Sequence, residues 1–183
     1  MKAIPTDVEG LLVFEPEPHV DDRGFFTRTL DVSVLAAAGI DPAAFKQDNQ
    51  SRSYQGVVRG MHGRGGAGEA KLVRCAHGAV WDVVVDGRPG SATFGQVRSF
   101  RLDDVDHRQL YIPRGFLHGF QALTQVTDVC YRIDDFYGPG EDVTVAFDDP
   151  DLGIGWPAPI TLTSDRDRAG MSWADYAGSI SAV

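Results

Sequence analysis

The 183-residue chain predicts an all-β fold of antiparallel strands with a few short helices. Three observations carry that prediction. Short apolar or alternating runs recur, turn clusters of Gly, Pro and Asp separate them roughly every 8–12 residues, and helical periodicity is scarce.

Taken in order, Asp31 followed by Val32–Ala38 and Gly39 predicts a two-turn helix with a carboxylate cap. Lys71–Cys75 and Ala79–Val85 flank His77-Gly78 as a hairpin. A turn at Asp86-Gly87-Arg88-Pro89-Gly90 leads to a strand over Thr93–Leu102. Gln109–Ile112 and Gly119–Leu123 flank Pro113-Arg114-Gly115, and Thr127–Ile133 is a β-branched run ending at Asp134-Asp135. A second helix is expected around Ser172–Ala177. This pattern fits a cupin, the double-stranded β-helix or jelly-roll barrel, whose interior can hold a ligand. No repeat, low-complexity tract or linker breaks residues 1–183, which read as one domain.

Composition narrows the function classes. Hydrophobic content of 43% and charged content of 23% are ordinary for a globular protein. The net charge of −9 opposes nucleic-acid binding, which needs a basic field. It leaves room for a phosphorylated ligand, because clustered arginines offer bidentate forks to phosphate. Met1-Lys2-Ala3-Ile4-Pro5 runs into Asp7 and Glu9 without an apolar signal core, and no run is long enough to cross a bilayer. The expectation is a cytoplasmic protein with no membrane partner. Cys75 and Cys130 lie far apart in apolar runs and read as buried free thiols.

The chemistry concentrates in residues 57–71, where His62 stands between Arg59 and Lys71 on a strand-like stretch. A base titrating near neutrality beside two fixed cations suits proton abstraction from an anionic carbonyl compound. His77 and His107 adjoin turn residues and read as solvated. His62 and His118 are flanked by glycines, and each alone reads as a half-buried structural histidine. Arg59 and Lys71 favour the functional reading of His62, since charged groups resist burial unless paired. A metal-binding cupin supplies His-x-His and then a glutamate; here Gly63-Arg64 follows His62, which leaves His62, His118 and Glu69 as a thin ligand set. No metal and no cofactor are expected.

Tyr131 and Tyr137 are either packed aromatics or, with a hydroxyl in a pocket, a general acid. Ser164-Asp165-Arg166-Asp167 is either an ordinary turn or cap, or a source of a carboxylate that folds back onto a histidine and fixes its tautomer. Arg23-Gly24-Phe25-Phe26 offers a bend and two aromatics for packing or for stacking on a base. Gln47–Ser53 is polar for a strand, as a strand facing a cavity or an exposed edge would be.

Together these pieces resemble the dTDP-4-dehydrorhamnose 3,5-epimerase family. The carriers are Asp22-Arg23-Gly24-Phe25-Phe26, Gln47-Asp48-Asn49-Gln50-Ser51, Gly56–His62, Lys71-Leu72-Val73-Arg74, Asp82–Asp86, Ser91–Gly95, Ile112–Phe120, Tyr131 with Tyr137, and Asp148-Asp149-Pro150 before Ile154-Gly155-Trp156-Pro157. The resemblance implies a metal-free epimerase of a nucleoside-diphosphate 4-keto-6-deoxyhexose. It makes His62 the base, Asp167 its partner, Lys71 the stabiliser of the enolate oxygen and Tyr131 the acid. Arg23 and Arg59 would hold the diphosphate, with Phe26, Gln47, Asn49, His118 and Tyr137 as further substrate contacts. It also implies a homodimer in which an N-terminal strand carries Arg23 and Phe26 to the neighbour's pocket. Two departures stand out. Arg28 occupies a position that is commonly acidic in the family, which bears on nucleotide choice. The run 63–68, rich in glycine, replaces an aromatic and a glutamine and reads as a mobile pocket rim. Competing classes are a single-centre epimerase, a metal-dependent cupin oxygenase and a non-catalytic sugar-binding cupin.

Overall fold

A computed structural model of the chain describes residues 1–136, 138 and 140–181. Its strands are β1 (Lys2–Pro5), β2 (Leu12–Glu15), β3 (His19–Asp21), β4 (Gly24–Phe26), β5 (Gln47–Tyr54), β6 (Val58–Arg64) and β7 (Lys71–His77). These are followed by β8 (Ala79–Asp86), β9 (Val97–Asp103), β10 (Gln109–Ile112), β11 (Phe116–Ala122), β12 (Val126–Ile133) and β13 (Asp142–Thr144). The helices are α1 (Val32–Ala37), α2 (Asp165–Arg168) and α3 (Trp173–Ser181). Two antiparallel sheets, ordered β1-β2-β10-β7-β12-β5 and β13-β6-β11-β8-β9, form the expected cupin jelly roll. The β3–β4 hairpin pairs with neither sheet.

The core follows strand alternation. Val73, Cys75, Leu110 and Val129 of one sheet meet Val80, Val84, Phe116 and Phe120 of the other. The opposite side of β8, Val83 and Val85, packs with Leu117 under Trp173 and Tyr176 of α3. That second cover explains why β8 is apolar on both faces. Leu35 of α1 and Ile40 close over Phe14 and Leu72 on the outside of the larger sheet.

Several expectations shift. The hairpin expected at His77-Gly78 is instead a crossing between sheets, since β7 pairs with β10 and β12 while β8 pairs with β11 and β9. Residues 93–96 form a turn in place of the start of a strand, because the Ser91 and Thr93 hydroxyls donate to the buried Asp86 carboxylate at 2.7 and 2.6 Å. Strand β9 therefore begins at Val97, while β11 begins at Phe116, three residues earlier than Gly119. The Asp31 carboxylate caps α1 as expected, accepting from the Ser33 and Val34 N–H groups. His77 is exposed beside Asp104. His107 is half-buried, its ring 4.4 Å from that of Phe25. Both cysteines are free and buried. Among the described residues, no helix is long and apolar enough to cross a membrane.

One irregularity positions the site. His62 pairs with His118, yet Arg59 pairs with Phe120, so β6 carries an extra residue opposite β11. That bulge brings Arg59 and His62, three apart in sequence, to one cavity. It rests on a close glycine approach: a Cβ on Gly60 would lie 2.5 Å from the Gly119 Cα.

Candidate active site

The inward faces of the two sheets enclose a cavity of about 290 Å³. One wall comes from Gln47, Asn49 and Ser51 of β5, Lys71 of β7 and Tyr131 of β12; the other from Arg59, His62 and Arg64 of β6 and His118 of β11. Strand β5 is both things that its polarity allowed. It is the sheet's edge strand, with Gln47, Asn49 and Ser51 turned to the cavity, while Gln50 and Arg52 bond Asp128 on the other face.

His62 Nε2 lies 2.6 Å from Asp167 Oδ1. The carboxylate comes from α2, where the Ser164 hydroxyl accepts from the Asp167 N–H. Asp167 is 3% exposed, and its second oxygen accepts from the Gly60 N–H at 3.4 Å. Burial raises this carboxyl, but the hydrogen bond and charge of His62, together with hydrogen bonds from Ser164 and the Gly60 N–H, hold it below its ordinary value of 3.8. An ionised carboxylate can only accept, so Nε2 carries the proton and Nδ1 is the basic nitrogen. The arrangement can take a proton and stabilise the imidazolium that results.

Asp167→Asn removes that stabilisation with little change of shape. Turnover is expected to fall by about 10²–10⁴-fold, read by product formation. A carboxyl whose pKa is lowered in the folded state adds stability above pH 3.8 that disappears as the pH drops through its folded value. Acid unfolding followed by circular dichroism should therefore show the parent losing more stability below that pH than Asp167→Asn.

Tyr131 stands on the wall opposite His62. Burial pushes its phenol above the ordinary value of 10.0, Glu69 adds to the shift and Arg59 opposes it. The phenol thus keeps its proton at neutral pH and can donate it. Lys71 Nζ lies 3.2 Å from Glu69 Oε1. Arg59 is braced by the Ser53 hydroxyl at 2.9 Å and the Arg52 carbonyl at 3.2 Å. His118 Nε2 lies 2.9 Å from Asp82 Oδ2, the carboxylate being fully buried.

The cavity thus gathers Gln47, Asn49, Arg59, His62, Lys71, His118 and Tyr131, with Asp167 behind His62. It does not gather Arg23, Phe26 or Arg28. Arg23 is 89% exposed and paired with Asp21 at 2.6 Å, and Phe26 is 67% exposed on the same free hairpin. Arg28 pairs with Asp31 at 2.6 Å, away from the cavity. Tyr137 lies outside the described residues. Among the described residues no three His, Cys, Asp or Glu side chains cluster as metal ligands. His62 and His118 are cross-strand neighbours, but each ring faces its own carboxylate.

Sequence reasoning passed over Arg64, Asp142 and Arg166, all of which line the cavity, and weighed Glu69 only as a metal ligand. Alternation from His62 would have found Arg64. The glycine-rich run 63–68 is bonded at both ends. Gly63 and Arg64 complete β6, the Gly65 N–H donates to the Glu141 carbonyl at 2.8 Å, and Arg114 donates to the Gly68 carbonyl at 2.6 Å.

A histidine–carboxylate pair facing a phenol, with an ammonium nearby, is the furniture of a proton-transferring isomerase built in a cupin barrel. The chain belongs to the dTDP-4-dehydrorhamnose 3,5-epimerase family, whose model matches residues 5–175, and is an isomerase of the carbohydrate-epimerase kind. It is 42% identical to the dTDP-4-dehydrorhamnose 3,5-epimerase of Pseudomonas aeruginosa over 176 residues, 96% of this chain and 97% of that protein. It is 40% identical to the dTDP-4-dehydrorhamnose 3-epimerase of Streptomyces niveus over 96% of this chain and 85% of that one. The solved structure of the Mycobacterium tuberculosis rmlC epimerase superposes with a TM-score of 0.92 at 41% identity, covering 98% of this chain and 92% of that one.

Proposed function

We propose that the chain inverts C3 and C5 of dTDP-4-dehydro-6-deoxy-D-glucose, yielding dTDP-4-dehydro-L-rhamnose in deoxysugar biosynthesis. The observation that carries this reading is the His62–Asp167 pair facing Tyr131 across a cavity that also holds Lys71. Both C–H bonds are α to the C4 ketone. His62 takes the α-proton, the C–H electron pair moves into the enolate, and the Lys71 ammonium opposes the charge on the C4 oxygen. Tyr131 returns a proton from the opposite face, which inverts the carbon. Asp167 holds the imidazolium until solvent takes its proton, and the Tyr131 phenolate regains a proton from solvent.

Arg59 binds the diphosphate, Gln47 and Asn49 contact the nucleotide or sugar, and His118 contacts the sugar. The free β3–β4 hairpin, with Phe25 and Phe26 exposed, supports a homodimer in which Arg23 and Phe26 complete the neighbour's pocket. Arg28 adjoins that hairpin and would act on nucleotide choice from there. The two reduced, buried cysteines support a cytoplasmic location.

A second reading, inversion at one carbon alone, draws on the identity to the Streptomyces niveus 3-epimerase and on the charged Arg64 and Glu69 at the cavity. Assay of dTDP-, CDP- and GDP-linked 4-keto-6-deoxyhexoses, with NMR of the products, tests the proposal. The dTDP sugar should give the highest kcat/KM and a product inverted at both centres. Inversion at one centre supports the second reading, and turnover of none of the three rejects both.

A further inference from the structure

Arg64 and Glu69 have no task in the mechanism just proposed, yet both are charged, enclosed and at the cavity. The Arg64 side chain is 4% exposed and that of Glu69 12%. Charged side chains withdrawn from water this far need partners. Glu69 has two: Oε1 lies 3.2 Å from the Lys71 ammonium, and Oε2 lies 3.2 Å from Arg64 Nε. The second contact is not an aligned hydrogen bond, so charge rather than direction binds it. Arg64 is anchored independently, Nη1 donating to the Phe136 carbonyl at 2.5 Å. The other carboxylates around it, Glu141 at 3.6 Å, Asp135 at 3.8 Å and Asp142 at 4.0 Å, are more distant and more exposed, hence better screened by water.

Lysine is a point charge on a flexible stem, and fixing it in one place costs side-chain entropy. A carboxylate against it fixes it but also cancels the field that it would exert on a developing oxyanion. A guanidinium on the far oxygen of that carboxylate removes the conflict, because the trio keeps one net positive charge.

We infer that Glu69 and Arg64 are positioning residues for Lys71: Glu69 holds the ammonium in place, and Arg64 neutralises Glu69 so that the ammonium's charge still reaches the C4 oxygen. The inference rests on the proposed reaction and adds to it a reason why this chain carries Arg64 two residues after its base. It makes Arg64 necessary only while Glu69 is charged.

The test is a double-mutant cycle on the full-length protein with the dTDP 4-keto sugar, reading kcat, the melting temperature and the Kd for dTDP. Arg64→Gln should lower kcat by about tenfold or more, and Glu69→Gln by about threefold, as loss of oxyanion stabilisation and loss of positioning would each do. The pair Arg64→Gln/Glu69→Gln should bring kcat back to within about threefold of the parent, a non-additivity expected of coupled charges. Affinity for dTDP should stay within about threefold throughout, since Arg59, Gln47 and Asn49 are untouched. A double variant as slow as Arg64→Gln, or an Arg64→Gln variant as fast as the parent, overturns the inference. If glutamine at position 64 prevents folding, Arg64→Met serves as the neutral substitution in the same cycle. An inactive parent would instead reject the reaction itself, and so the two failures are distinguishable.

Discussion

His62→Asn is expected to stop exchange of the sugar's α-protons with solvent, slowing turnover by about 10²–10⁴-fold, the usual contribution of a positioned base. Asparagine keeps a polar group near Asp167 but offers no basic nitrogen. Among the described residues the other bases at the cavity are engaged: His118 Nε2 is committed to Asp82, the Glu69 carboxylate lies between two cations, and the Asp142 carboxylate accepts from Arg166. The affinity for dTDP should be nearly unchanged, because Arg59 keeps its braces from Ser53 and Arg52. Proton NMR in D₂O gives the exchange rate, and calorimetry gives the affinity. Exchange near the parent rate with dTDP still bound would remove His62 from the base position.

Tyr131→Phe should separate two events that are joined in the parent. The base on the opposite wall remains, so α-protons should still wash out into D₂O. Return of the proton from the other face should fail, cutting formation of the inverted product by about 10²–10⁴-fold. Deuterated but uninverted sugar is therefore the expected species, and it is read by comparing isotope content with stereochemistry. The parent's alkaline limit has a sign as well. Burial holds the Tyr131 phenol above 10.0, so the donor stays protonated through that pH. Because the folded state holds this proton more tightly, its contribution to stability is complete below pH 10.0 and declines as the pH rises through the folded value.

Strand positions were legible because short apolar runs stand between turn clusters, and β10 matches its expected span of Gln109–Ile112 residue for residue. The strand that began too early in the reading, at Thr93, failed because its β-branched residue serves as a hydroxyl donor to a buried carboxylate 7 positions back. A local alternation cannot reveal that. Within the site, His62, Lys71 and Tyr131 are inward residues of three strands, and their residue types pointed to proton chemistry. Asp167 lies 105 positions from His62 and meets it only through the fold. Its assignment therefore rested on family resemblance. Arg59 depended on a bulge that no alternation rule anticipates. Arg23 and Phe26 stay off the cavity within this chain.

The most direct measurement follows the two α-carbons of dTDP-4-dehydro-6-deoxy-D-glucose in D₂O by NMR as the parent enzyme acts. Proton abstraction by His62 and return by Tyr131 predict solvent deuterium at C3 and C5 of the product, each label accompanying inversion of its carbon. Inversion without solvent label, or no label and no inversion at either carbon, would contradict the account.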